Sequence, residues 1–219
     1  MLAREIISPH IPALHPSDTG ARALRLLNEY HVAQLPLVAD DHYIGLVEEA
    51  MLLDWDDPDQ TLGSFHESYT KPAIQGNTHF FDALKLMRDF RLSVLPVLEE
   101  DVYTGVVTPE NILHFIAQFD EIQIPGAILV LDADPRDYSL TDIARIAESE
   151  EMHLLGIHLL SEPKAERLCI LIKTDRQDLS AFTAHLDHYG YTVRYQFGEL
   201  IATDTLQKNY DLLMNYINM

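Results

Sequence analysis

Leu35-Pro36-Leu37-Val38-Ala39-Asp40-Asp41-His42-Tyr43-Ile44-Gly45-Leu46-Val47 is the stretch that decides the fold. Two apolar runs flank a pair of carboxylates, which predicts two short strands joined by a tight turn. The stretch returns sixty positions later as Leu95-Pro96-Val97-Leu98-Glu99-Glu100-Asp101-Val102-Tyr103-Thr104-Gly105-Val106-Val107. Leu35/Leu95, Pro36/Pro96, Asp41/Asp101, Tyr43/Tyr103, Gly45/Gly105 and Val47/Val107 match without a gap. Upstream, Pro12/Pro72, Ala13/Ala73, Ala23/Ala83, Leu24/Leu84 and Leu26/Leu86 keep the same register. A repeat of this kind marks two copies of one supersecondary unit.

Around each copy the pattern predicts a helix before the strand pair and another after it. Ser17 or Asp18 is the expected N-cap of a helix over about 18–31, with Ala23, Leu24, Leu27 and Tyr30 on one face. A short helix over about 48–55 carries Ala50, Met51, Leu53 and Trp55. In the second copy Asn77 or Thr78 is the expected cap of a helix bearing Phe80, Phe81, Leu84, Met87 and Phe90. Strands follow at about 94–98 and 102–107. Pro109 then opens a helix at the position where its missing N–H costs nothing. That helix carries Ile112, Leu113, Phe115, Ile116 and Phe119.

Glu121-Ile122-Gln123-Ile124-Pro125-Gly126 interrupts the pattern and reads as a domain boundary. The sixty-residue period stops there. Ala127–Leu131 is an apolar strand, and an acidic loop runs from Asp132 to Tyr138. Ser139 or Thr141 starts a helix with Leu140, Ile143, Ile146 and Ala147 facing inward. Strands at about 153–160 and 167–173 flank a turn at Ser161–Lys164. Leu179, Phe182, Leu186 and Tyr189 mark a helix ended by Gly190, and Tyr191–Tyr195 is a last strand. The order βαββαβ is the ferredoxin-like plan. Thr203 and Asp204 then cap a terminal helix striped by Leu206, Tyr210, Leu213, Met214 and Ile217.

The chain has 219 residues and a formal net charge of −20. That charge argues against a nucleic-acid partner, because the phosphate backbone would be repelled. No apolar run approaches the roughly 18 residues that span a bilayer, and no apolar h-region marks a signal peptide. Cys169, the single cysteine, sits in an apolar run and reads as a buried small hydrophobe. A cytoplasmic protein is expected, with no membrane partner. His185 and His188 share a helix face but lack a third ligand, so no metal site is expected. No glycine-rich phosphate loop, nucleophile elbow or catalytic pairing is present, so no enzyme is expected.

The repeat resembles a tandem pair of CBS domains, the Bateman module, in its βαββα order, apolar-Pro-apolar strand, acidic turn and strand-opening glycine. Residues 126–197 look like an ACT-like domain. The combination resembles bacterial acetoin-utilisation-like CBS proteins. The expected fold class is α+β: CBS repeats at 1–60 and 61–120, an ACT-like domain at 126–197, and a helical tail at 198–219.

The resemblance implies adenosine-containing ligands such as AMP, ATP or S-adenosylmethionine, bound between the repeats. It assigns a phosphate-binding Ser or Thr and a ribose-binding Asp. At those positions the first repeat has Glu48 and Met51, which suit neither task. The second has Thr108 and Asn111, and Thr108 fits equally as a helix N-cap. The ligand set implied by resemblance is Thr108 and Asn111 with Val94, Leu95 and Pro96. In the ACT-like part, Tyr138 stands where ligand-binding relatives have glycine; Arg136 beside it is either an anion partner or part of a capped turn. The function expected is a non-enzymatic, homodimeric regulator acting on a partner enzyme or transporter. The alternative is an interaction or scaffold protein with degenerate sites.

Overall fold

The computed structural model describes residues 1–65, 68–161 and 167–198. The terminal helix expected from Thr203 and most of the turn at Ser161–Lys164 lie outside these residues. The chain divides into two compact units, Met1–Ala117 and Gln118–Met219.

In the first unit, β1 (Gln34–Ala39) and β2 (His42–Glu48) pair antiparallel, as do β4 (Leu95–Glu99) and β5 (Val102–Val107). Asp40 and Asp41 have φ of 49° and 63°; Glu100 and Asp101 have 49° and 70°. Two successive positive φ values define the tight turn whose twist matches the strands. Short β3 (Ile74–Gln75) pairs parallel to β4. The sheet order is β1-β2-β5-β4-β3. The hairpins meet at His42 and Val102, where the Tyr103 N–H donates to the Asp41 carbonyl at 2.8 Å.

The helices corrected several expectations. The N-cap of α1 (Gly20–Tyr30) is Thr19, whose hydroxyl accepts the Arg22 N–H at 3.3 Å. Asp18 instead accepts the His15 N–H and pairs with the Arg22 guanidinium at 2.9 Å. For α3 (Phe80–Phe90) the cap is the His79 ring, which accepts the Phe81 N–H at 3.3 Å, and not Asn77 or Thr78. An imidazole nitrogen is an acceptor in reach of the second helical N–H, so it does the work of a hydroxyl. Both helices run into a left-handed residue, His31 or Arg91, each with φ of 53°.

In α2 (Glu49–Leu53) the buried residue is Leu52, while Leu53 faces out. On α3, Phe80, Ala83 and Met87 are buried, but Phe81, Leu84 and Phe90 are exposed. On α4 (Pro109–Ile116), Ile112 is buried and Leu113 exposed. Leu27, Leu35, Leu37, Val47, Leu52, Leu62 and Tyr69 form one core. Each such side chain contributes about 1.5–3 kcal/mol by leaving water.

The segment ahead of each repeat crosses to the other repeat. The Ser8 N–H donates to the Val106 carbonyl at 2.7 Å, and the Leu46 N–H to the Thr70 carbonyl at 2.8 Å. This crossing explains the repeated glycine. A Cβ on Gly45 would stand 2.6 Å from the Tyr69 Cβ, and one on Gly105 would stand 2.5 Å from the Ile7 Cγ2. The repeats are therefore interlocked rather than merely adjacent. A further tie joins Gln34 and Ser93. The Ser93 hydroxyl donates to the Gln34 side-chain carbonyl at 2.7 Å and accepts the Ala33 and Gln34 N–H groups at 2.9 and 3.1 Å.

In the second unit, α5 (Asp120–Gln123) precedes β6 (Ile128–Ala133), α6 (Leu140–Ser149), β7 (Leu154–Ser161), β8 (Leu168–Thr174), α7 (Ser180–His188) and β9 (Thr192–Phe197). The antiparallel sheet has the order β7-β8-β6-β9, the ferredoxin-like arrangement. Leu129, Leu131, Ile143, Ile146, Ile170, Ile172, Phe182 and Leu186 build its core. Ser139 caps α6 by accepting the Asp142 N–H at 3.2 Å. Leu140, expected to face inward, is half exposed, because position N1 of α6 lies ahead of the stripe that meets the sheet. Tyr189 likewise faces solvent, just past the end of α7. Gly190, with φ of 83°, ends α7 in the left-handed conformation expected of it.

Candidate functional site: a cavity in the first unit

The site begins where the chain reverses after α1. Glu29 and Tyr30 close that helix, and left-handed His31 turns the chain toward β1. The crossing segment brings His10 to the same place, and Ser93 enters from the approach to β4. The start of α4 supplies Thr108, Glu110 and Asn111, with His114 one turn further on. Together these groups line a cavity of about 770 Å³. Its size is in the range of small-molecule sites.

The helix start is closed upon itself. The Thr108 hydroxyl accepts the Asn111 N–H at 3.2 Å and donates to the Asn111 side-chain oxygen at 2.6 Å. That same oxygen accepts the Thr108 N–H at 3.2 Å. This is a capping box built from Thr and Asn. Pro109 has no N–H to offer. Glu110 lies within 3.7 Å of the His114 ring.

Two of the residues assigned from sequence, Thr108 and Asn111, therefore sit in the cavity wall. Val94, Leu95 and Pro96 are buried, and their neighbour Ser93 lines the cavity instead. His10, Glu29, Tyr30 and His31 were missed. They reach the site only through the crossing segment and the α1 turn, and neither relationship is local in sequence. The run Glu29-Tyr30-His31 at the end of a predicted helix was the available signal.

A second cavity, of about 500 Å³, lies at the equivalent place of the other repeat and is lined by Glu48, Thr70, Lys71, Phe90 and their apolar neighbours. Glu48 takes the place of Thr108, and the Thr70 hydroxyl donates to it at 3.4 Å. Met51 packs against the first core.

In the second unit, Tyr138 packs against the core, and Arg136 lies exposed in a turn where its N–H donates to Asp134 at 2.9 Å. His185 pairs with Glu150 at 2.9 Å. Among the described residues, no group of three or more His, Cys, Asp or Glu side chains is placed to hold a metal ion. Among them, no helix is long and apolar enough to cross a membrane.

Two interlocked βαββα repeats with a cavity at each helix start define a Bateman module. The family model of the CBS domain matches residues 3–57 and 70–118, so the first unit is a CBS domain pair. Solved structures similar to the chain include a CBS domain pair/ACT domain protein from Thermotoga maritima (20% identity, 54% of this chain and 98% of that chain covered, TM-score 0.48). Another is CBSX2 in complex with AMP (23% identity, 53% and 96% covered, TM-score 0.46). A third is a protein of Vibrio cholerae named for acetoin utilization (18% identity, 56% and 95% covered, TM-score 0.48). No curated protein is similar to this chain at a significant level.

Proposed function

We propose that the chain is a non-enzymatic regulatory protein that senses an adenosine-containing ligand in the cavity of its CBS pair. The observation that carries this reading is the cavity of about 770 Å³ bounded by both repeats, with Ser93, Thr108 and Asn111 in its wall. A ligand there touches groups from two interlocked halves. It shifts their arrangement only by binding one arrangement better than another. The ferredoxin-like unit, read as ACT-like, or a partner enzyme or transporter then receives that shift. The acting species is a homodimer in the cytoplasm.

Calorimetric titration of the full chain with AMP, ATP and S-adenosylmethionine tests the reading. Saturable binding that weakens in Thr108→Ala supports it. A ligand at 100 times its Kd also adds about 2.7 kcal/mol of stability, which a thermal scan detects. Absence of binding by every ligand overturns it.

One observation favours a second reading, a scaffold with silent ligand sites. Thr108 and Asn111 already satisfy each other, and Glu48 replaces the hydroxyl in the other cavity. The same titration separates the two.

A further inference from the structure

The cavity beside Thr108 has an unusual charge balance for a nucleotide site. Among the described residues its lining holds the carboxylates of Glu29 and Glu110 and the imidazoles of His10, His31 and His114, and neither Lys nor Arg lines it. A phosphate is normally held by cationic side chains or by N–H groups at a helix start. Here Lys and Arg are missing, and most N–H groups of the helix start are absent or committed. Pro109 has no N–H, and the Thr108 and Asn111 N–H groups are bonded within the capping box. Glu110 adds a carboxylate in the first turn of the same helix. The other cavity has Glu48 where the second repeat has Thr108, but Lys71 also lines it.

What the wall offers suits a different molecule. Tyr30 supplies an aromatic side chain beside the apolar Ile11 and Val32, matching the flat face of a base. The carboxylates of Glu29 and Glu110 attract a cation and repel a polyanion.

Building on the sensor reading above, we infer that this cavity selects nucleosides whose 5′ substituent is cationic or uncharged, such as a sulfonium, and discriminates against 5′-phosphates. The discrimination is electrostatic. It weakens as salt screens exposed charge, and it does not depend on recognition of the base.

The test is a calorimetric series on the full chain at low ionic strength and pH 8, which keeps imidazole charge out of the comparison. The ligands are S-adenosylmethionine, adenosine, AMP and ATP. The expected order of affinity is S-adenosylmethionine, then adenosine, then AMP, with ATP at least ten-fold weaker than adenosine. Glu110→Gln and Glu29→Gln each narrow the gap between S-adenosylmethionine and ATP by several-fold. Both positions are exposed, so these variants fold. ATP or AMP binding as tightly as adenosine overturns the inference while leaving the sensor reading intact. If no ligand in the series binds, both fall. A gap that the two variants and added salt leave unchanged also overturns it, because its origin is then not these carboxylates.

Discussion

The hydroxyl of Thr108 lies 2.6 Å from the side-chain oxygen of Asn111, and the two close the first turn of α4 as a capping box. The two side chains with the strongest sequence claim to a ligand are thus each other's partners. A ligand that bonds either one competes with a helix cap. Thr108→Ala is expected to cost about 1 kcal/mol, the usual value of a lost cap. Thr108→Ser keeps the cap and most of the stability. Urea unfolding of the two variants checks this; equal losses would mean that the methyl group, not the hydroxyl, matters.

Gly105 is required by the crossing of the chain. Gly105→Ala forces a Cβ into Ile7 at a φ of 147°. A destabilisation of about 1–3 kcal/mol is expected. Gly190→Ala meets nothing within 4 Å and bears only the cost of its positive φ, about 1 kcal/mol. Unfolding midpoints should rank the two variants in that order.

The bond between Ser93 and Gln34 ties the repeats at their shared centre. Ser93→Ala leaves the Gln34 carbonyl oxygen with one donor fewer, and strips the Ala33 and Gln34 N–H groups of their shared acceptor. The Gln34 N–H is part-buried, and losing its partner costs about 1–3 kcal/mol, while the exposed Ala33 N–H turns to water. A double-mutant cycle with Gln34→Leu should show a coupling of at least about 0.5 kcal/mol. Additive effects would deny the tie.

High pH should unfold the first unit early. Burial raises the phenols of Tyr43, Tyr69 and Tyr103 above the usual value of 10; that of Tyr69 reaches about 12. Tyr69 also donates to the Leu62 carbonyl at 2.8 Å. Below pH 10 both folded and unfolded chains hold these protons, and the contribution is intact. Above pH 10 the unfolded chain binds fewer protons than the folded one, so stability falls as pH rises toward 12 and beyond. Unfolding free energy measured from pH 8 to 12 should drop above 10, and Tyr69→Phe should lessen the slope.

The hairpins were legible because their signals are local. Asp40-Asp41 and Glu100-Asp101 set the turns, and the sixty-residue register fixed which residues correspond. Leu53 was named in the helix after β2, whereas Leu52 is the one that meets the core, since one position decides which of two adjacent leucines faces inward. Phe81, Phe90 and Leu113 share the apolar pattern of their helices with the buried Phe80, Met87 and Ile112, and helical spacing does not say how wide a face the sheet covers. Cap choice failed by one or two residues at Thr19 and His79, where several adjacent side chains had an acceptor. Thr108 and Asn111, named through the family resemblance, line the cavity. Ser93, His10 and Tyr30 were not named for it, because contacts across the interlocked chain bring them together.

The most direct measurement is a crystal structure of the full chain grown with saturating adenosine. The account predicts electron density for the nucleoside in the cavity beside Ser93, Thr108 and Asn111, with its base near Tyr30. Density only beside Glu48, or in neither cavity at saturation, would contradict it.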